Sequence, residues 1–281
     1  CVVRNKAVTA AKGEPIVSRS GDGPVTISVS GQVSRSGSME SPLSIPIVDP
    51  GAFFASVLRT VRAALGLSVA GGSRRGRVRE ANGTMPADFE VVAVHEQRLP
   101  AVLERMNAHS LNLCAEAMLK TLGAYSEEGR IVRQGTLGAG RAAAARFLAT
   151  LGLGGELYVL DDGSGLSRDN RAAAEVYTRI LKHMDGHPLR KTWRESLAEA
   201  GEANGSLRRR MKDLGDRVCG KTGHIHNVAT LSGYVTGSGG RRYAFSVLCN
   251  DTSRAKGGTS AAHKLQDDLC RLLATWDEQG R

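Results

Sequence analysis

The chain has 281 residues, a formal net charge of +10 and 34 glycines, while aromatic residues make up only 4% of it. This length allows two domains, and the hydrophobic content of 41% is ordinary for a globular protein. The positive charge predicts attraction to anionic polymers, but there is no nucleic-acid motif and no basic stretch interleaved with aromatic residues. We therefore expect no nucleic-acid partner.

The five cysteines are scattered without a Cys-x-x-Cys pair, so the sequence supports neither a metal site nor a disulfide framework. No run of 18 apolar residues occurs, and no membrane span is expected. The chain begins at Cys1 without a signal peptide. We interpret this start as truncated or processed.

The first part of the chain predicts short strands and one helix. Strand-like alternation runs through roughly the first 45 residues, and residues 43–48 predict a further strand. Asp49-Pro50 predicts the start of a helix that reaches about residue 65. Five apolar side chains of this helix recur at helical spacing and predict a core-facing stripe: Phe53, Phe54, Val57, Leu58 and Val61.

The middle of the chain contains a polar segment that two explanations fit. Residues 89–95 predict a strand and residues 99–107 a short helix, followed by Ser110-Leu111-Asn112. Ser110 could cap the helix that comes next, and capping alone could account for it.

Further on, residues 141–151 predict a helix. Residues 161–170 predict a polar loop, and its Ser167 or Asp169 could cap a helix that reaches about residue 185.

Lys221-Thr222-Gly223 fits two functional interpretations. Residues 215–222 match the phosphate-binding pattern G-x-x-x-x-G-K-[ST], which requires a buried strand before it and a helix after it. The preceding segment is too charged for a central strand, and β-branched residues follow. The sequence therefore favours a strand at the edge of a cleft, where the lysine supplies positive charge. A hairpin joins 232–235 to 242–250, and a last helix covers about 261–276.

Three segments together resemble the class C low-molecular-mass penicillin-binding proteins, which are D-alanyl-D-alanine carboxypeptidases and endopeptidases of the bacterial cell wall. They are Ser110-Leu111-Asn112, Asp162-Gly163-Ser164-Gly165-Leu166-Ser167 and Lys221-Thr222-Gly223. The flanking Met106-Asn107 and Ser232-Gly233-Tyr234 agree with this family. The resemblance implies an α+β fold, with an antiparallel sheet flanked by helices. Residues 89–281 would form the C-terminal part of the catalytic domain, and residues 1–88 part of an inserted strand-rich domain.

The resemblance also implies roles in acyl transfer through a serine. Ser110 would relay a proton to the leaving amine, and Asn112 would hold the peptide group of the substrate. Lys221 would supply positive potential. No cofactor is implied.

Three neighbouring residues would bind the substrate. The Thr222 hydroxyl would anchor the terminal D-alanine carboxylate with Lys221, and Gly223 would let the peptide pair as an added strand. His224 stands where the family has a small residue, so its side chain either narrows the cleft or points away. The spacing of His224 and His226 also permits metal ligation, but no third ligand is nearby in the sequence.

One family feature is not where it is expected. The nucleophilic Ser-x-x-Lys should lie well upstream of Ser110, whereas the sequence contains it only as Ser253-Arg254-Ala255-Lys256, in a Gly-flanked loop. We interpret this occurrence as chance and expect a missing N-terminal segment to carry the nucleophile. A pseudoenzyme is the alternative.

Three hypotheses follow from these patterns. The first is a serine-type peptidase of the periplasmic or extracellular cell envelope. It would act on peptidoglycan stem peptides and be inhibited by β-lactams. The second is a non-catalytic relative that binds peptidoglycan or a partner protein. The third is a nucleotide-binding protein that uses residues 215–222.

Overall fold

The computed structural model describes residues 2–11, 15–20, 26–34, 47, 49–68, 70–74, 76, 84–90, 93–126, 128–131 and 134–276. The chain divides into two compact units, Cys1–Ala93 and Val94–Arg281. Among the described residues, no helix has the length and apolar character needed to span a bilayer. The assignment of residues 1–88 to an inserted domain stays a prediction.

The first unit contains a small sheet built around one strand. The strands are β1 (Val2–Asn5), β2 (Val8–Ala10), β3 (Pro15–Ser20) and β4 (Thr26–Ser34). β1 and β2 pair in parallel with successive parts of β4, and β3 pairs antiparallel with it. The alternation in the early sequence therefore predicted strands correctly. The strand predicted at residues 43–48 lies outside the described residues except for residue 47.

Helix α1 (Pro50–Ala64) begins where the sequence predicted. The Ala52 N–H donates to Asp49 Oδ1 at 2.9 Å, and Pro50 occupies the first turn, where its missing N–H costs nothing. The prediction that its apolar stripe is core is wrong. Those five side chains are 44–67% exposed, and α1 has no buried residue. Helical spacing shows that one face is apolar, but it does not show that this chain covers that face.

The second unit combines six helices with a four-stranded antiparallel sheet among its described residues. The helices are α2 (Leu99–Asn107), α3 (Asn112–Ala124), α4 (Leu137–Thr150), α5 (Ala174–Gly186), α6 (Arg190–Glu195) and α7 (Gly258–Thr275). A short pair, β5 (Tyr158–Val159) and β6 (Arg171–Ala172), precedes the sheet. The sheet runs β10-β9-β8-β7, with β7 (Ala198–Glu199), β8 (Val218–Ile225), β9 (Val228–Thr236) and β10 (Arg242–Cys249).

Several sequence predictions can be compared with these elements. The hairpin of β9 and β10 is confirmed, with Val235 opposite Tyr243. α2 has the predicted bounds. The strand predicted at residues 89–95 is absent from the part of that range that the structure describes. The caps proposed for α5 are wrong, because that helix begins after Ala173 without a side-chain cap.

Helices cover both faces of the sheet. On one face, the buried side chains of Leu231 and Val235 belong to a cluster that includes Cys270 and Ala274 of α7. On the other face, Tyr234 clusters with Leu181 of α5, and its hydroxyl donates to the Leu181 carbonyl at 2.6 Å. Successive strand residues point to opposite faces, so β9 contributes to both clusters. This α+β architecture agrees with the predicted fold class.

Helices α3 and α4 pack closely through glycine. A Cβ atom built on Gly140 would lie 2.0 Å from the Leu119 carbonyl oxygen, whereas one on Gly138 would meet nothing within 4 Å. We expect Gly140→Ala to lower the free energy of unfolding by at least about 1–3 kcal/mol, because helix backbones must separate. The control Gly138→Ala should leave it unchanged or slightly raised. Equal urea midpoints for both variants would contradict this packing.

Candidate functional site

Lys221 and Ser110 are 111 positions apart in the sequence and meet in the second unit. The Lys221 ammonium donates to Ser110 Oγ at 2.7 Å and to the carbonyl oxygen of Thr222 at 2.6 Å. Burial disfavours the charged form of this lysine and lowers its pKa to about 8. The fold therefore places the ammonium of Lys221, with its lowered pKa, against the exposed hydroxyl of Ser110.

The backbone at Ser110 has an uncommon conformation. Ser110 has a φ of 55°, in the left-handed region that non-glycine residues seldom occupy. It lies between α2 and α3, and α3 begins at Asn112 with Leu111 as its cap residue and no side-chain cap. The alternative that Ser110 is present as a helix cap is therefore wrong.

Asn112 follows Ser110 closely in the chain. It is the first residue of α3, two positions after Ser110, and it is exposed. The tight turn at Ser110 therefore places a hydroxyl and an amide side chain on the same short stretch. Its role in holding a peptide group stays a prediction.

The Lys-Thr-Gly segment is a strand with one partly unpaired edge. β9 pairs with β8 along its length, from Val218 to Ile225. On the opposite edge, β7 pairs only with Cys219 and Gly220. Among the described strands, none covers that edge from Lys221 onward. Such an edge is where an extended peptide can add as a further strand.

Register assigns Lys221 and Thr222 to opposite faces of β8. Thr222 is opposite Leu231, which is fully buried in the cluster that contains α7 residues. Residues directly opposite each other in an antiparallel pair share a face, so Thr222 lies on the α7 side and Lys221 on the other. The two groups can therefore approach one carboxylate only at the strand edge. Gly223 shares the face of Lys221, and a Cβ there would lie 2.3 Å from Thr230 Oγ1.

His224 lies on the α7 side of β8. Its ring centroid is 6.4 Å from that of His263, which lies on α7. Burial, helped by the charge of nearby Arg210, lowers the pKa of His263. The assignment of His224 to substrate binding stays a prediction.

The loop of residues 161–170 is organised by Asp162. Its carboxylate accepts hydrogen bonds from the N–H groups of Gly165 and Ser167 and from Asn170 Nδ2, each at 2.7 Å, and from Ser164 Oγ at 3.2 Å. Burial alone would raise the pKa of Asp162, but these donors together lower it. Asp162 and Ser164 thus hold a structural turn together.

This loop is held against the helix that carries Asn112. The Ser164 N–H donates to Glu116 Oε1 at 3.0 Å, and Glu116 lies on α3. A Cβ on Gly163 would come within 2.6 Å of the Ala115 carbonyl oxygen, so only glycine permits this approach. The Asp162–Ser167 segment therefore packs against α3 and is not itself part of the Ser110–Lys221 contact.

Arg168 makes a contact near β8 that the sequence did not predict. Its Nη1 donates to the carbonyl oxygen of His226 at 3.0 Å, which connects the loop to the turn after β8. The available signal was a basic residue directly after the family segment, but its partner is 58 positions away. Spacing in the sequence therefore could not identify this contact.

The phosphate-binding interpretation of residues 215–222 is wrong. Gly215–Arg217 is one 3-10 turn, and Val218–Ile225 is a strand, so no helix follows Thr222. Without a helix N-terminus, the characteristic cradle for phosphate is not formed. The Ser-x-x-Lys sequence at 253–256 is not helical along its length either, because the 3-10 turn ends at Arg254. Ser253 and Lys256 are both exposed.

Comparison with known proteins identifies the family of this chain. The sequence model of the D-Ala-D-Ala carboxypeptidase 3 (S13) family matches residues 2–271. The chain belongs to this family. The resemblance to low-molecular-mass penicillin-binding proteins is thereby confirmed.

Individual S13 relatives are longer than this chain. It is 32% identical over 261 residues to a D-alanyl-D-alanine carboxypeptidase of Actinomadura sp. (strain R39), a match that covers 89% of this chain and 46% of the relative. It is 27% identical over 174 residues to the D-alanyl-D-alanine carboxypeptidase DacB of Haemophilus influenzae, covering 60% of this chain and 35% of DacB. The chain thus spans less than half the length of these two relatives.

A solved structure shows the same fold. Penicillin-binding protein 4 from Haemophilus influenzae, in complex with a β-lactam, superimposes with a TM-score of 0.64 at 21% identity. The match covers 98% of this chain and 63% of that protein. The predicted α+β fold of the penicillin-binding-protein type is therefore correct.

Proposed function

We propose that this chain belongs to a serine-type D-alanyl-D-alanine carboxypeptidase or endopeptidase of the cell envelope, periplasmic or extracellular, that acts on peptidoglycan stem peptides. The observation that carries this proposal is the 2.7 Å contact of Lys221 Nζ with Ser110 Oγ beside the open edge of β8. It joins a cation, a hydroxyl and an unpaired strand edge. A peptide that ends in a carboxylate fits these three features.

The substrate would bind as an added strand along β8. Its terminal carboxylate would accept a charge-assisted hydrogen bond from Lys221 and another from the Thr222 hydroxyl at the strand edge. Gly223 removes side-chain bulk next to the peptide backbone, and His224 would border the cleft. Asn112, on the opposing turn, would hold the peptide group through its amide.

Ser110 would pass a proton to the leaving amine. Because Ser110 Oγ accepts from the Lys221 ammonium, its own hydrogen is free to donate to another acceptor. When Ser110 gives this hydrogen to the amine nitrogen, Lys221 can return a proton to the oxygen. A pKa of about 8 suits Lys221 to this exchange better than the ordinary lysine value.

The acylated serine would lie outside these 281 residues. The chain's Ser-x-x-Lys sequence begins at Ser253 on a 3-10 turn, and nothing in that turn provides the helical spacing that would bring serine and lysine together. In the complete enzyme, β-lactams would act as inhibitors that acylate this serine. A non-catalytic relative would bind the same peptides without being acylated.

Two measurements on the 281-residue chain test this proposal. N-acetyl-D-Ala-D-Ala should shift the backbone amide NMR signals of residues 221–225, while its C-terminal amide should bind much more weakly because it lacks the carboxylate. Intact mass after incubation with benzylpenicillin should show no adduct. Equal shifts with both peptides, or none, would refute the binding site, and an adduct mapped to this chain would refute the external nucleophile.

A further inference from the structure

The residues that immediately precede Ser110 are tied to one segment elsewhere in the second unit. Asn107 Nδ2 donates to Ser196 Oγ at 2.8 Å, and the Ser206 N–H donates to the Ala108 carbonyl at 3.0 Å. Residues 107 and 108 are therefore both attached to residues 196–206.

His109 supplies the third attachment and the one nearest to Ser110. Its Nδ1 lies 2.9 Å from the carbonyl oxygen of Asn204. A carbonyl oxygen only accepts, so Nδ1 must carry the hydrogen. The other ring nitrogen is 3.7 Å from Glu104 Oε1. The imidazole thus joins the last turn of α2 to the 196–206 segment, directly before the left-handed Ser110.

The same segment is attached to the strand that carries Lys221. Glu199 of β7 is opposite Cys219, and Ala198 is opposite Gly220. The Ala200 N–H donates to the Val218 carbonyl at 3.0 Å. These short contacts therefore form a closed ring. It runs from Lys221 through β8, β7 and the 200–206 turn to His109 and Ser110.

We propose that His109 is a positioning residue, whose hydrogen bond to Asn204 sets the distance between Ser110 and Lys221. The hydroxyl of Ser110 is exposed, and its own backbone conformation is one that serine adopts at a cost. A neighbour that fixes the turn is therefore needed to keep Ser110 Oγ in place. Asn107 and Ala108 fix the end of α2, and the Leu111 N–H donates to the Arg105 carbonyl at 2.9 Å across the turn. His109 adds a side-chain bond from the turn itself to the 196–206 segment.

The test compares three substitutions at His109 by two readouts. In His109→Asn, the amide nitrogen occupies nearly the place of Nδ1 and can donate to Asn204; in His109→Gln it lies one methylene further out, and in His109→Ala it is absent. The first readout needs no ligand: the exchange with water of the Lys221 ammonium hydrogens, whose NMR signal is assigned by its loss in Lys221→Arg. We expect this exchange to be several-fold faster in the Ala and Gln variants and close to wild type in His109→Asn.

The second readout is the affinity for N-acetyl-D-Ala-D-Ala, which rests on the proposed function. It should fall about three- to tenfold in His109→Ala and remain within about twofold of wild type in His109→Asn. His187→Ala is the matched control, because the His187 ring also bonds to backbone, at Leu189, but at the end of α5. Thermal unfolding of each variant identifies those that fold poorly. If His109→Ala is one of them, the comparison of His109→Asn with His109→Gln still tests the proposal.

The outcomes separate the two proposals. Faster exchange in His109→Ala with rescue by asparagine, but no peptide binding in any variant, would support the positioning role and refute the proposed function. Unchanged exchange in all three variants, or an asparagine variant as impaired as alanine, would overturn the positioning role whatever the peptide does.

Discussion

Replacement of Lys221 by alanine is expected to weaken binding of N-acetyl-D-Ala-D-Ala about tenfold to a hundredfold, the effect of removing a charge-assisted hydrogen bond. Lys221 is the only lysine or arginine of β8, so no other residue of this strand can replace its charge next to Ser110. Titration by backbone amide shifts measures the change. The same titration with the C-terminal peptide amide is the control, since its affinity should hardly respond to the substitution.

The affinity of the wild-type chain should also fall as the pH rises through about 8. Burial lowers the pKa of Lys221 to about 8, and only the protonated amine binds a carboxylate strongly. The carboxylate itself stays ionised throughout, so between pH 7 and 9.5 the loss should be about an order of magnitude.

Lys221→Arg provides the matched variant for this pH effect. A guanidinium keeps its charge over the whole range, so binding by the arginine variant should be weaker at pH 7 because of altered geometry but flat up to pH 9.5. An equal decline in both proteins would assign the pH dependence to a different group. A wild-type affinity that is constant up to pH 9.5 would show that Lys221 does not bind the carboxylate as its ammonium.

The strand that carries Lys221 could be predicted because its signals are local. The charged segment before residue 215 and the β-branched residues after Lys221 favour a strand over a phosphate loop. Strand alternation also implies that Lys221 and Thr222 face opposite sides. Whether either face meets Ser110 or a buried cluster depends on pairing with residues far along the chain. Sequence spacing contains no information on that.

Ser110 shows where a local interpretation misleads. A serine before a helical stretch fits a helix cap, and only the structure shows that Leu111 occupies the cap position. The hydroxyl instead accepts a hydrogen bond from Lys221 on β8. The resemblance to the family had assigned Ser110 and Lys221 to one site, because it used three segments jointly rather than the propensity of one.

Asp162 and α1 give two further examples of structure that the sequence did not predict. The turn held by Asp162 depends on four donors and on the orientation of one carboxylate, which composition does not encode. The stripe on α1 was identified correctly as apolar but not as exposed, because burial requires a covering surface and periodicity describes only the helix. Pairing between neighbouring segments, as in the β9–β10 hairpin, was therefore predictable, whereas contacts between segments far apart in the sequence were not.

Gly233→Ala is expected to be the most damaging single substitution in the sheet. A Cβ at Gly233 would lie 2.1 Å from the Cys219 carbonyl oxygen and 2.6 Å from the Gly220 Cα, and Gly220 is directly opposite it on β8. Both obstacles are backbone atoms, so no rotamer change can relieve the clash. The strands would have to separate from their usual spacing, and we expect a loss of more than about 3 kcal/mol in the free energy of unfolding.

Gly239→Ala is the control, because it lies in the turn between β9 and β10 and a Cβ there meets nothing within 4 Å. Its urea midpoint should match that of the wild type, while that of Gly233→Ala falls steeply. Gly233→Ala should also reduce peptide binding at temperatures where this variant is folded, because displacing β8 moves Lys221 relative to Ser110. A folded Gly233→Ala protein with wild-type stability and affinity would show that β8 and β9 are not packed as closely as the glycine pair implies.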